Sequence, residues 1–158
     1  MTELRQITLD NFEECIRLEP KKEQSGFVAS NLRSLAEAYV ALTTKDCIPL
    51  PYAIYQNGTM VGFLMLAYNE PNETRTEPQY WVCRLMIDQR FQGRGFGKAA
   101  MQKALELLRT FPCGKASHVF ISYEPENFIA NALYASLGFT ETGEVDDDGE
   151  LVARLPLL

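Results

Sequence analysis

The segment Met86–Lys98, MIDQRFQGRGFGK, constrains this chain more than any other. The aromatic and apolar run Tyr80–Asp88 reads as a strand, Gln92–Gly97 is a glycine-rich turn, and Ala100, Met101, Ala104, Leu105 and Leu108 then recur at helical spacing. A strand that enters a helix through such a turn places free amides at the turn. The first N–H groups of a helix have no internal partner and carry the positive end of its dipole. Gly93, Gly95 and Gly97 lack the Cβ atoms that would keep an anion from those amides, and Arg94 and Lys98 add positive charge. This is the composition of a pyrophosphate site. Two familiar phosphate patterns fail on spacing. Gly97-Lys98 is followed by Ala99 and position 92 is Gln, so the Walker pattern is absent. GxGxG stands where the dinucleotide fingerprint needs GxGxxG. A branched side chain at Gly95 or Gly97 is expected to block the site.

The rest of the chain reads as a mixed α/β fold in the order β α α β β β α β α β β. Leu4, Ile7 and Leu9 begin a short first strand. Asp10, with Glu13 three residues on, has the spacing of a capping box for the first helix. Pro20 and the polar residues 21–25 break that helix. A second helix is predicted over Ser30–Thr44, with Leu32, Leu35, Ala36, Tyr39, Val40 and Leu42 on its apolar face. Pro49 and Pro51 precede a strand over Tyr52–Gln56. Asn57-Gly58 joins it to Thr59–Tyr68, which predicts a type I′ hairpin because that turn needs positive φ at both central residues. His118–Ser122 is a short strand. Asn127–Leu137 is a helix closed by Gly138, and two last strands, Phe139–Glu144 and Glu150–Leu155, flank the acidic turn Asp146–Gly149.

Composition narrows the function classes. The 158 residues suit one domain, 1–158, with enough chain to bury a core. Fifteen Lys and Arg against 21 Asp and Glu leave a net charge of −6, which argues against nucleic acid as a partner and fits a small cationic amine. The four cysteines form no CxxC pair, so neither a metal site nor a disulfide framework is expected, and reduced thiols fit a cytoplasmic protein. The charged N-terminal stretch is no signal peptide, and the longest apolar run, Val61–Tyr68, is far short of a membrane span.

A second motif lies about 40 residues after the turn: Asn127, Ala130, Tyr134, Gly138 and Phe139, at the spacing Asn-x-x-Ala-x-x-x-Tyr-x-x-x-Gly-Phe. Together with Gln92, Gly95 and Gly97 on the pattern Gln/Arg-x-x-Gly-x-Gly/Ala, it resembles the GNAT superfamily of N-acetyltransferases over roughly Tyr52–Phe139. The runs NLRSLAEAY (31–39), VGFLM (61–65) and YWVCRLMID (80–88) are similar to bacterial spermine/spermidine acetyltransferases.

The resemblance implies a mostly antiparallel, splayed sheet with helices on both faces and acetyl-CoA wedged between the strands at 80–88 and 117–122. It implies that the amides of Gln92, Gly93, Arg94, Gly95, Phe96, Gly97 and Lys98 hold the pyrophosphate. Backbone groups of Leu85, Met86 and Ile87 would pair with the pantetheine arm, and Asn127 would bond it from the other side. Tyr134 would be the general acid that protonates the departing thiolate, and a phenol, with a pKa near 10, does hold its proton at pH 7. No metal is implied, and a homodimer is a common state of the superfamily.

The acceptor is expected to be a polyamine. Its charges would meet Glu13, Glu14, Glu19, Glu23 and Glu37 in the region that caps the acceptor site in this superfamily. Other amines (a protein N-terminus, a lysine, an amino acid, an aminoglycoside) and a non-catalytic CoA-binding module are the alternatives. Glu124 and Glu126 are candidate bases, and Tyr80, Trp81 and Arg84 candidate pocket walls. His118 reads as a core histidine, and a Cys83–His118 nucleophile pair lacks a third orienting group.

Overall fold

The computed structural model describes residues 1–45 and 47–158. Seven strands, β1 (Thr2–Gln6), β2 (Cys47–Gln56), β3 (Thr59–Asn69), β4 (Gln79–Ile87), β5 (His118–Tyr123), β6 (Thr140–Val145) and β7 (Leu151–Pro156), form one sheet in the order β1-β2-β3-β4-β5-β7-β6. Among the described residues only the β4–β5 pair is parallel. The helices are α1 (Phe12–Arg17), α2 (Asn31–Ala41), α3 (Phe96–Leu108) and α4 (Phe128–Ser136). This is the mixed, mostly antiparallel α/β sheet expected.

The apolar run of β3 explains why helices cover both faces. Successive side chains of a strand point to opposite faces, so a continuously apolar strand needs cover on both. Leu64, Leu66 and Tyr68 pack with Ala100, Met101, Ala104, Leu105 and Leu108 of α3 and with Tyr134 of α4. Phe63 and Met65 pack on the other face with Cys15 of α1, Leu18 and Ala38 of α2. The β2–β3 hairpin turns at Asn57 and Gly58, with φ of 49° and 83°, as the type I′ turn requires. Among the described residues no helix is long and apolar enough to cross a membrane.

Several local expectations are corrected. β1 stops at Gln6, and Leu9 is exposed. The Asp10 capping box does not form. Asn11 is the N-cap of α1, and its side chain instead bridges the Thr8 amide and the Gln6 carbonyl. β2 starts at Cys47 and runs through both prolines. β1 pairs only with Tyr52–Gln56, so Pro49 and Pro51 fall on a stretch where one edge is free and a missing N–H costs no bond to β1. Most of the apolar stripe of α2 is turned outward, although Leu35 packs against the core. Leu32, Tyr39, Val40 and Leu42 are exposed, whereas Asn31, Ser34 and Ala38 are buried. The small Ser34 and Ala38 let the helix approach the sheet closely. Asn31 is satisfied there, since its Nδ2 donates to the Cys15 carbonyl at 2.8 Å.

Candidate active site

The site begins where β4 and β5 part. Their pairing runs only from Tyr80–Val119 to Val82–Ile121, so residues 83–87 of β4 have β3 as their sole neighbour. The β3–β4 register shifts at this point. Met65 faces Arg84 and Leu66 faces Val82, which leaves Cys83 as the extra residue of a β-bulge that bends the strand. The result is a cleft of about 1080 Å³ between the two strands.

Beyond the bulge the ladder fixes which backbone groups face the opening. The Asp88 amide donates to the Val61 carbonyl at 2.8 Å, so Met86–Phe63, two residues back, is the next hydrogen-bonded pair. Leu85 and Ile87 therefore turn their amides and carbonyls toward the cleft, and Met86 turns its own toward β3. This corrects the expectation that all three backbones serve the cleft. The Ile87 carbonyl already accepts from Gln92 Nε2 at 2.9 Å.

The glycine turn is fixed from below by Asp88, which is buried. Its carboxylate accepts from the Glu19 amide at 3.0 Å, from the Arg90 amide at 3.0 Å and from Arg90 Nε at 2.7 Å. Burial alone would raise this carboxyl, but those hydrogen bonds hold it below the usual carboxylate range. Above it, Gly93 and Gly95 have φ of 75° and 80°, conformations open to glycine at little cost. Gly95 is the N-cap of α3, and the first bond to it comes from the Ala99 amide at 3.1 Å. Among the described residues, none of the amides of 92–98 has a partner within the chain. Gln92, Gly93, Gly95, Phe96, Gly97 and Lys98 line the cleft. The Arg94 guanidinium does not. It sits 5.8 Å from the Phe91 ring and reaches the Arg90 carbonyl.

Gly97 has an ordinary helical backbone, and an added Cβ would meet Ile87 and Leu133 only at 3.7 and 3.8 Å. The fold has no need of glycine there, although a helix prefers alanine by about 0.5–1 kcal/mol. Free amides, open φ-positive glycines and an unneeded helical glycine all fit a bound pyrophosphate group.

Opposite the turn, Asn127 caps α4. Its Oδ1 accepts from the Ala130 amide at 3.3 Å, which leaves the Nδ2 group beside the cleft. Two turns on, Tyr134 is 7% exposed, packed between the rings of Tyr123 and Phe139 at 5.7 and 5.9 Å. Its hydroxyl has no hydrogen-bond partner among the described residues, and the residue lines the cleft. Burial pushes its pKa far up, and Tyr123 and Glu150 push in the same direction, so the phenol keeps its proton at neutral pH.

The lining of the cleft is also acidic. Glu124, Asp146, Asp148 and Glu150 line it together with Trp81 and Arg84, and the segment 24–29 forms one wall. Sequence reasoning saw the Asp146–Gly149 turn and Glu124 but did not place the turn at the site. None of Glu13, Glu14, Glu19, Glu23 and Glu37 lines the cleft. Glu13 pairs with Arg17, and Glu37 is held by Arg33 at 3.0 Å and Arg84 at 2.9 Å. Tyr80 is core: its hydroxyl donates to the Gly114 carbonyl at 2.7 Å. Burial pushes the Cys83 thiol up to about 11, which removes it as a nucleophile at neutral pH. His118 lies outside the cleft, with Nδ1 2.9 Å from Ser117 Oγ.

The model of the Acetyltransferase (GNAT) family matches residues 3–139. The chain belongs to the GNAT acetyltransferases. It is thus an acetyl-CoA-dependent N-acetyltransferase, and the open splay of β4 and β5 is where this GNAT chain keeps its cleft. The spermine/spermidine N(1)-acetyltransferase of Bacillus subtilis (strain 168) is 29% identical over 151 residues, covering 94% of both chains. Among solved structures, an aminoglycoside acetyltransferase in complex with coenzyme A superposes with a TM-score of 0.78 at 18% identity, covering 99% of this chain and 95% of that one. The spermidine N-acetyltransferase from Vibrio cholerae, in complex with CoA and spermine, gives a TM-score of 0.69 at 16% identity, with 99% and 95% covered. These two likenesses are likenesses of fold.

Proposed function

We propose that the GNAT chain moves an acetyl group from acetyl-CoA to a primary amine of a polyamine, spermine or spermidine, by direct attack. The observation that carries this reading is that one cleft joins the unpartnered amides of 92–98 to the carboxylates of Glu124, Asp146 and Asp148. The similarity to the Bacillus subtilis polyamine enzyme supports it. A long cation with several charges gains from carboxylates spread along a groove. Each contact lies partly in water and is worth only about 0.2–1 kcal/mol.

Bound acetyl-CoA supplies the activated thioester. The amides of Gln92, Gly93, Arg94, Gly95, Phe96, Gly97 and Lys98 and the Lys98 ammonium hold the pyrophosphate. Leu85 and Ile87 offer backbone groups to the pantetheine arm from β4, and Asn127 Nδ2 offers a donor from α4. Tyr134 holds a proton over the reacting end and gives it to the leaving sulfur. The four cysteines, none of them in a disulfide among the described residues, support a reducing, cytoplasmic setting.

CoA release is measured with spermine, spermidine, a lysine peptide and an aminoglycoside at two salt concentrations. The expected result is a preference for the polyamines, with a spermine KM that rises with salt more steeply than that of a monoamine. A ten-fold higher kcat/KM for the peptide or the aminoglycoside overturns the polyamine assignment and leaves acetyl transfer standing.

A further inference from the structure

A primary ammonium has a pKa near ~10.4, so the neutral nucleophile at pH 7 costs about 4–5 kcal/mol and a base must take its proton. The cleft offers a carboxylate held in place for that task. Glu150 enters β7 directly across from β5. Its Oε2 accepts from Ser122 Oγ at 3.1 Å, its amide donates to Asp146 Oδ1 at 2.9 Å, and its carbonyl accepts from the Asp146 amide at 2.9 Å. Both its backbone and its side chain are thus fixed, whereas among the described residues no hydrogen bond holds the Glu124 side chain.

The surroundings favour a proton on Glu150. Ser122 and Glu124 face it from β5 and the residue after it, Asp146 and Asp148 from the preceding turn, and Tyr134 from α4. None of these is a cation. Burial raises its pKa first; the Ser122 hydrogen bond offsets part of that, and Asp146, Glu124 and Asp148 raise it further. Tyr134 is an independent pointer to the same spot. Its phenol is buried and unpartnered on the cleft wall among the described residues, and its ring packs at 5.7 Å on Tyr123, the β5 partner of Leu151, the residue next to Glu150. A proton acceptor and a proton donor therefore line the same cleft.

We propose that Glu150 is the base that takes the proton of the acceptor amine, an inference that rests on the amine acetyl transfer of the preceding section. One N–H bond of the ammonium breaks and its proton goes to a Glu150 carboxylate oxygen. The freed electron pair forms the N–C bond to the acetyl carbon. The C–S bond breaks, its electrons stay on sulfur, and the sulfur takes the Tyr134 proton. A second proton of the substituted nitrogen returns to the Tyr134 oxygen. Glu150 then releases its proton to solvent past the exposed Asp148.

Glu150→Gln keeps the shape and the acceptor for Ser122 and removes only the basicity. Asp147→Asn is its control: Asp147 sits in the same turn with the same charge, yet does not line the cleft. Each variant is assayed for CoA release across pH with whichever amine the wild type turns over, so the acceptor's identity and the role of Glu150 are read separately. CoA binding by calorimetry checks that each is folded. Glu150→Gln is expected to lower kcat by about 10²–10⁴ with amine KM changed less than three-fold, and to abolish the rise of kcat with pH below the amine's own titration. Asp147→Asn is expected to match the wild type. A Glu150→Gln enzyme with kcat within three-fold and the wild-type pH profile overturns the proposal. So does one in which only KM rises, since that makes Glu150 a binding carboxylate.

Discussion

Gln92 Nε2 lies 2.7 Å from Gln24 Oε1, a hydrogen bond across 68 residues of sequence. The same Nε2 donates to the Ile87 carbonyl. One side chain therefore joins the glycine turn, the end of β4 and the segment 24–29 that walls the cleft. The two halves of the cleft share a fastening.

Loss of that fastening should affect the two substrates unequally. Gln92→Ala removes both bonds and is expected to raise KM for acetyl-CoA and for the amine. Gln24→Ala frees only the wall and is expected to raise the amine KM alone. A hydrogen bond of this kind contributes about 0.5–1.5 kcal/mol, or about two- to ten-fold. Initial-rate kinetics with each substrate varied in turn checks it. An equal rise in both KM values for Gln24→Ala would contradict the asymmetry.

Gly97 separates folding from binding. Gly97→Ala has room for its Cβ and is expected to leave stability unchanged or raise it by up to about 1 kcal/mol. Its affinity for CoA should stay close to wild type, whereas the branched side chain of Gly97→Val, set beside the free amides, should lower it at least ten-fold. Gly95→Val is a poorer test, since its φ of 80° strains a branched residue before any ligand arrives. Thermal melts and calorimetry with CoA together decide the matter. Wild-type affinity in a folded Gly97→Val protein would remove the turn from the phosphate site.

These two motifs were legible because their spacing encodes them: a glycine turn and a helix cap act within a few residues. What sequence missed depends on contacts across the chain. The outward stripe of α2 misled because the buried face uses Asn31 and Ser34, polar residues satisfied by the Cys15 and Ser30 carbonyls. Glu150 looked like the flank of a solvated turn. Only the β5–β7 register, with Ser122 opposite Val152, brings it into the cleft. Glu37 looked free until Arg84 of β4 met it.

The acidic lining carries its own prediction. Glu37→Gln should leave the spermine KM within two-fold, because that carboxylate already pairs with two arginines. Asp148→Asn removes an exposed carboxylate of the cleft and should raise the spermine KM by about 1.5- to 5-fold at low salt. The effect should shrink in high salt. Steady-state kinetics at two ionic strengths tests the pair, and a reversed order would return the acceptor site to α2.

Alkaline pH should destabilise the fold. Burial, with Glu14 adding, pushes the Cys15 thiol up to about 11, and Cys83 is pushed up to about 11 by burial and Cys47. A group whose folded pKa lies above its unfolded one favours the folded state fully below the unfolded value. That advantage is lost as pH rises through the folded value. Stability should therefore hold to about pH 9 and fall toward pH 11. Urea melts along this range check the sign; a flat profile would mean that the thiols ionise freely in the folded protein.

The proton on Tyr134 is the centre of the account, and Tyr134→Phe with single-turnover kinetics tests it most directly. The ring stays packed between Tyr123 and Phe139, so CoA affinity and folding should be unchanged. The rate of acetyl transfer should fall by about 10²–10⁴ at neutral pH. The deficit should narrow at high pH, where a free thiolate and a neutral amine need less help. A Tyr134→Phe enzyme that transfers acetyl at the wild-type rate at pH 7 would contradict the account and leave Tyr134 a core side chain.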